Sequence, residues 1–281
     1  KAILHLAEHA RELTGAKHLC VAGGVGLNSV ANGIVLRSGL FEDVWIQPAA
    51  NDAGLALGAA YDVWHRTWGK PRTFAMEHAF WGPGFTDEEA RHTLEIAKIP
   101  FTELDDPAEF AAERIASDRI VGWFQGRLEA GPRALGNRSI LTNPKRAEMK
   151  DVVNRYVKHR QAFRPFAPSV TEERAGEFFD VDRPVPYMLV IGNVLRSRRD
   201  DVAAITHVDG TARLQTVSAS ENGLYHRLIS GLGERTGTPV VMNTSFNVRG
   251  EPIVATPGDA LRCFFSTGMD DLVLGRYHVS K

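Results

Sequence analysis

Leu19-Cys20-Val21-Ala22 runs straight into Gly23-Gly24-Val25-Gly26-Leu27-Asn28, a short apolar strand emptying into a glycine turn. Upstream, Ile3, Leu6, Ala10 and Leu13 recur at helical spacing over residues 1–16. Downstream, a second helix runs to about Ser38 and ends at Gly39. Val44–Gln47 is the next strand, closed by Pro48, and Asn51-Asp52 opens a helix of small residues reaching about Trp64. Helix–strand–helix–strand–helix with short loops is the pattern of an α/β layer. Both polar loops fall at carboxyl ends of strands, where open α/β sheets bind ligands.

Composition bounds the rest. The 281 residues have 33 Lys+Arg against 34 Asp+Glu, a net charge of −1. That balance excludes a globally basic nucleic-acid coat and an acidic solvating tail. At ~150 residues per domain the length predicts one or two domains. No apolar run reaches the ~18–20 residues that a bilayer span needs. The charged first turns do not read as a signal peptide. Cys20 and Cys263 stand far apart in apolar runs, which excludes a disulfide framework and a CxxC metal site. A reducing, cytoplasmic setting is expected. The chain opens on Lys1 rather than Met, so it reads as a piece of a longer protein.

Residues 66–83 read as a linker, broken by Gly69, Pro71, Gly82 and Pro83. Beyond it Thr86 caps an acidic helix start at Asp87, Glu88 and Glu89. Strands are expected at 120–124, 187–191, 214–217, 239–242 and 272–274. Helices are expected at 107–117, 147–156, 171–179, 223–236 and 257–267.

The stretch from Arg127 to Arg164 holds ten Lys or Arg against Glu129, Glu148 and Asp151. Several of these cations sit beside Gly or Pro: Gly126-Arg127, Gly131-Pro132-Arg133, Gly136-Asn137-Arg138 and Arg164-Pro165. Guanidinium forks on rigid turns suit phosphate or carboxylate. A solvated basic face and a nucleic-acid patch are the competing readings. The patch is local and lacks the aromatic platforms that single strands need. Gly131–Gly136 has P-loop spacing, but Asn137-Arg138 replaces the Lys-Ser/Thr pair, so a Walker-type NTPase is rejected. His5-Leu6-Ala7-Glu8-His9 matches H-x-x-E-H and reads as a solvated helix face without a third ligand. Asp52 taken alone reads as a helix cap. His207–Arg213 and Asn243–Asn247 are polar clusters flanking strands, and a turn satisfied by its own side chains describes each equally well. No nucleophile elbow or Ser-His-Asp order appears.

Taken together, six stretches resemble one family: Gly23–Asn28, Asn51–Gly54, Phe124–Ser139, Lys158–Ser169, His207–Arg213 and Asn243–Pro252. The chain resembles the carboxyl-terminal part of the NodU/CmcH-type O-carbamoyltransferases, which decorate antibiotics and nodulation factors. The resemblance implies an α/β protein of two parts. Residues 1–66 would be the carboxyl-terminal piece of an actin-type ATPase-fold (Kae1-like) domain, residues 67–83 a linker, and residues 84–281 a YrdC-like domain. In such enzymes the YrdC-like domain makes carbamoyl-adenylate from carbamoyl phosphate and ATP, with Mg2+. The Kae1-like domain, holding Fe2+ or a similar metal, passes the carbamoyl group to a hydroxyl of a small-molecule acceptor.

Carried over by position, Arg133, Lys158 and Arg164 would be catalytic. Arg213, Asn243, Ser245, Asn28 and Gly24 would bind ATP and carbamoyl phosphate, and Asp52 would be a metal ligand. The family's Kae1-like domain has a further actin-like half whose histidine pair completes the metal site, and no such half is in this sequence. The chain is therefore expected to support adenylate formation at most, and its first 66 residues to expose an apolar face. A phosphate-binding module without catalysis and threonylcarbamoyl chemistry on transfer RNA are the alternatives. No membrane partner is expected, and the motif runs argue against RNA.

Overall fold

The glycine turn and the Asn51-Asp52 loop meet because the two strands before them are parallel neighbours. The computed structural model describes residues Lys1–Lys281 and divides into two compact units. The smaller comprises Lys1–Ala79 with Ala130–Pro132 and Leu189–Ile191; the larger comprises the rest.

In the smaller unit α1 (Ala2–Thr14), β1 (His18–Val21), α2 (Ser29–Arg37), β2 (Asp43–Ile46) and α3 (Leu55–Asp62) follow the expected order. β1 pairs in parallel with β2, His18 opposite Asp43 through Val21 opposite Ile46. Gly23, at φ +96°, donates its N–H to the Ala50 carbonyl at 2.7 Å. A side chain at Gly54 would lie 2.2 Å from the Ala49 carbonyl oxygen, so only glycine closes that loop. The helix expected from Asp52 to Trp64 is three pieces: a 3-10 turn at Asp52–Gly54, then α3, then a π turn at Val63–Thr67. The core is small, built on Ala7, Val35 and Phe41. Leu6, Leu13, Val25, Val30 and Leu55 all remain exposed.

The larger unit rests on a ten-stranded mixed sheet. In chain order its elements are α4 (Asp87–Ile96), β3 (Thr102–Glu103), α5 (Pro107–Ala116), β4 (Val121–Phe124), β5 (Arg138–Thr142), α6 (Met149–Tyr156), β6 (Ala167–Thr171), β7 (Phe179–Asp180), β8 (Val190–Val194), β9 (Thr211–Val217), α7 (Gly223–Thr236), β10 (Val240–Ser245), α8 (Pro257–Phe265), β11 (Asp271–Leu274) and β12 (Tyr277–Ser280). The strand order is β3-β12-β11-β4-β5-β10-β6-β9-β8-β7. β10 is central and antiparallel to both neighbours, β5 and β6. α5 and α7 bury Ile115, Leu228, Ile229 and Leu232 against Trp123, Leu141 and Val241 of the sheet. Thr86 accepts the Glu89 N–H while the Glu89 carboxylate accepts the Thr86 N–H, the capping box that starts α4.

Three expectations are corrected. Residues 171–179 do not form a helix: Thr171 is the last residue of β6, paired with Val217, and Phe179 opens β7, which leaves room only for a 3-10 turn. The strand expected at 187–191 lies at Val190–Val194, because Met188 adopts φ +54° and breaks the extended run. β3, β5, β6, β7 and β12 are added, in stretches where no strand is expected from the sequence. No helix is long and apolar enough to cross a membrane.

Candidate anion site

A polar loop between two buried strands needs an internal partner for its backbone, and here Glu129 supplies it. One carboxylate oxygen, Oε1, accepts the N–H groups of Leu135, Asn137 and Arg138 at 2.7, 2.9 and 3.1 Å. Wrapped on that buried oxygen, the loop 131–138 leaves β4 and enters β5 with Arg133 at its bend. Gly136 has φ +107°, and its carbonyl accepts the Trp123 indole N–H at 2.8 Å. Beneath the loop Asn243, buried on β10, points Nδ2 at the Ala134 carbonyl (3.3 Å) and the Ser169 hydroxyl (3.1 Å). Gln215 on β9 reaches the Leu135 carbonyl at 2.8 Å. The amide of Asn243 thus holds the loop that carries Arg133.

Lys158 follows α6 and is only 4% exposed. Its ammonium donates to the carbonyl oxygens of Ser245 and Asn247, both at 2.8 Å. The Asn247 amide oxygen lies at 2.5 Å and the Ser245 hydroxyl at 3.2 Å. The end of β10 therefore forms an oxygen cage around one cation. Ser245 is brought to Lys158 as the motifs implied, and Asn247 joins it.

Around Lys158 cations dominate, and only the Cys263 thiol acts the other way. Burial pushes the Lys158 ammonium down to about 7, and Arg160 adds to the effect. Burial also lowers Arg160, helped by the exposed Arg164. Arg213 on β9 is pushed down to about 9, first by burial, then by Arg133 and Arg160. His207 is lowered by burial and by Arg213, with Asp209 opposing. Burial lowers Arg133 as well. No carboxylate offsets Lys158, Arg160 or Arg213 among these influences. The Nε–H groups of Arg133 and Arg213 are buried without a hydrogen-bond partner. Leaving several cations half-dehydrated and unneutralised is costly, and an anion of two or more charges removes that cost. A cluster of this kind suits phosphate-like groups.

Arg138, one of the ten cations of the basic stretch, has a different fate. It is fully buried, donates to the carbonyls of Gln125 and Gly126, and its guanidinium lies 3.6 Å from the Phe124 ring centroid. Arg160, left unassigned among the ten, joins the cluster.

Asn28, Gly24 and Asp52 lie in the smaller unit. The Asn28 side chain accepts the Ala31 N–H at 3.1 Å and caps α2. Gly24 is exposed in a 3-10 turn, and Asp52 is exposed at the start of another. Nowhere in the chain do three His, Cys, Asp or Glu side chains converge as a metal site. Asp52 alone does not make an iron site, and no step below runs through one.

An anion held at Lys158 would require its protonated form, so pH offers a test. Affinity for sulfate, a dianion at all relevant pH values, is expected to fall as pH rises above about 7, by up to about tenfold per unit. At pH 7.5 binding is expected to take up a proton, read by calorimetry in buffers of different ionisation heat. Without ligand the sign for folding is the opposite. Between about 7 and the ordinary lysine value the unfolded chain holds a proton that the folded chain has lost, so stability rises with pH. Sulfate binding that neither weakens with pH nor takes up protons would contradict this assignment.

Two family descriptions match the chain: "Carbamoyltransferase N-terminus" over residues 1–61 and "Carbamoyltransferase C-terminus" over residues 112–281. The nodulation protein NolNO of Sinorhizobium fredii is 46% identical, over 99% of this chain and 42% of its own length. The 3'-hydroxymethylcephem-O-carbamoyltransferase of Amycolatopsis lactamdurans is 37% identical, over 96% of this chain and 50% of its own. The chain thus spans about half the length of the curated relatives it matches. Among solved structures, P. abyssi Sua5 complexed with L-threonine gives a TM-score of 0.44 at 14% identity, covering 60% of this chain and 46% of that one. That likeness is too loose to place the fold.

Proposed function

Since this chain belongs to the carbamoyltransferase family, we propose that its larger unit is the YrdC-like, adenylate-forming part of an ATP-dependent O-carbamoyltransferase. The observation that carries this reading is the cluster of buried Lys158 with half-buried Arg133, Arg160 and Arg213, which no carboxylate neutralises.

The chemistry asks for such a cluster. Carbamoyl phosphate is hydrolysed to carbamate and inorganic phosphate. A carbamate oxygen then attacks the α-phosphorus of ATP, the bond from that phosphorus to the bridging oxygen of pyrophosphate breaks, and carbamoyl-adenylate forms. Two polyanions must be brought together, and charge builds on the departing pyrophosphate. Catalysis is then positioning and charge neutralisation, with no protein nucleophile. Lys158, held by four oxygens, supplies a fixed point charge. Arg133 and Arg213 offer guanidinium donors with partners still to find. Mg2+ accompanies the ATP. The carbamoyl group would then pass to a hydroxyl of a small-molecule natural product or glycan, a step this reading assigns to the complete protein.

Pyrophosphate release from ATP by the purified chain is the test. Release is expected only when carbamoyl phosphate is present. Release at the same rate without it would remove carbamoyl phosphate from the reading and leave a simple nucleotidase.

A further inference from the structure

The segment that carries Lys158, Arg160 and Arg164 holds two phenylalanines in opposite situations. Phe166 is buried, with the Arg160 guanidinium 4.7 Å from its ring centroid. Phe163, next to Arg164, is 78% exposed. A loose loop would fold a phenyl ring down onto the protein, because exposing it forfeits its hydrophobic burial. This loop is not loose. Asn154, fully buried on α6, donates from Nδ2 to the carbonyls on both sides of Phe163, Ala162 at 3.2 Å and Arg164 at 3.0 Å. The same side chain accepts the Arg160 Nε–H at 2.7 Å on its oxygen. The Arg164 N–H closes the turn onto the Gln161 carbonyl at 3.2 Å, and Pro165 restricts the backbone of Arg164 before it. One buried amide therefore fixes both Arg160 and the backbone that holds the Phe163 ring in water.

The basic stretch thus does hold an aromatic platform, contrary to the expectation from its sequence: a ring on a pinned backbone, next to Arg164 and near Arg160 in the chain, supplies the two components of nucleotide recognition, a stacking face and an electrostatic cradle. We propose that Phe163 is the nucleobase platform of this site: the base of a nucleoside triphosphate stacks on its ring while the phosphates lie on Lys158, Arg160 and Arg164. The inference rests on the reading of the cluster as a phosphate site. It adds the element that separates a nucleotide from a bare polyphosphate. Stacking uses the π face that every base has, so the platform also implies weak discrimination between ATP and GTP.

The test compares dissociation constants of the 281-residue chain for ATP, GTP and inorganic tripolyphosphate by calorimetry. Phe163→Ala is expected to weaken ATP and GTP about tenfold and to leave tripolyphosphate within about twofold, and Phe163→Tyr to restore both nucleotides. Thermal melts of the variants are expected to match the parent, because the ring makes little contact with the fold. If Phe163→Ala weakens all three ligands alike, or none, the platform assignment fails while the phosphate site stands. If the parent chain binds neither nucleotide nor tripolyphosphate, the reading of the cluster fails and the platform with it.

Discussion

Lys158→Met abolishes carbamoyl-phosphate-dependent pyrophosphate release while leaving the melting temperature unchanged or higher; this is the expected result, and the split between the two readouts is its content. The ammonium sits in a cage of four oxygens at the end of β10. On the proposed reading it holds the anion together with Arg133, Arg160 and Arg213. Removing one partner of a buried charge pair costs about 2–5 kcal/mol, so binding and turnover are expected to drop roughly 30-fold or more. Folding responds differently. In the free chain the lysine is a buried cation with no carboxylate beside it, and the dehydration cost that an apolar isostere removes offsets the hydrogen bonds lost by the oxygens of Ser245 and Asn247. Lys158→Arg is not conservative, because a planar fork does not fit a cage shaped around one point donor. Its activity is expected to fall with that of the methionine variant. A Lys158→Met protein that keeps its carbamoyl-phosphate-dependent turnover would sink the proposed role.

The second large effect is structural. Gly136→Ala places a methyl group 2.2 Å from Cδ1 of Tyr225, at a position with φ +107°. Tyr225 is fully buried in the core shared by α5, α7 and the sheet, so it has nowhere to go. Overpacking and a backbone conformation closed to L-residues act together, and about 3 kcal/mol or more of destabilisation is expected. For a unit of this size that is roughly 6–12 °C in melting temperature. Because the loop turns at Gly136 around the Glu129 carboxylate, Arg133 should lose its placement as well, and sulfate binding should weaken even below the melt. A Gly136→Ala chain melting within about 2 °C of the parent would show that loop and core can separate.

Most regular elements could be read from residue patterns. α7 matches its expected span of 223–236 at both ends, between the Asn222 cap and the left-handed Gly237. β4 and β11 were visible as apolar runs bounded by polar residues. β5 and β6 were not, because Arg-Ser-Ile-Leu-Thr and Ala-Pro-Ser-Val-Thr look half-polar. In β6 the polar side chain turns inward to partners on other strands: Ser169 donates to Gln215 at 2.6 Å, and Asn243 points at both. Polarity satisfied across strands leaves no periodic trace along one strand.

The site divides in the same way. Arg133, Lys158, Arg213 and Ser245 belong to motifs whose glycines and prolines already announce rigid turns, and geometry brings Lys158 to Ser245 and Arg133 to the neighbourhood of Arg213. Arg160 and Glu129 stand in the same motifs, yet nothing in their spacing separates a cluster cation from the clamp that Arg138 became, or a buried carboxylate anchor from a surface one. Residue order sets turns, caps and apolar faces, since those depend on near neighbours along the chain. Which cation is stripped of water, and whether a carboxylate stands beside it, depends on strands distant in the chain lying side by side: β10 pairs with β5, and β6 with β9, which gathers the loop of Arg133, the strand of Arg213 and the cage of Lys158.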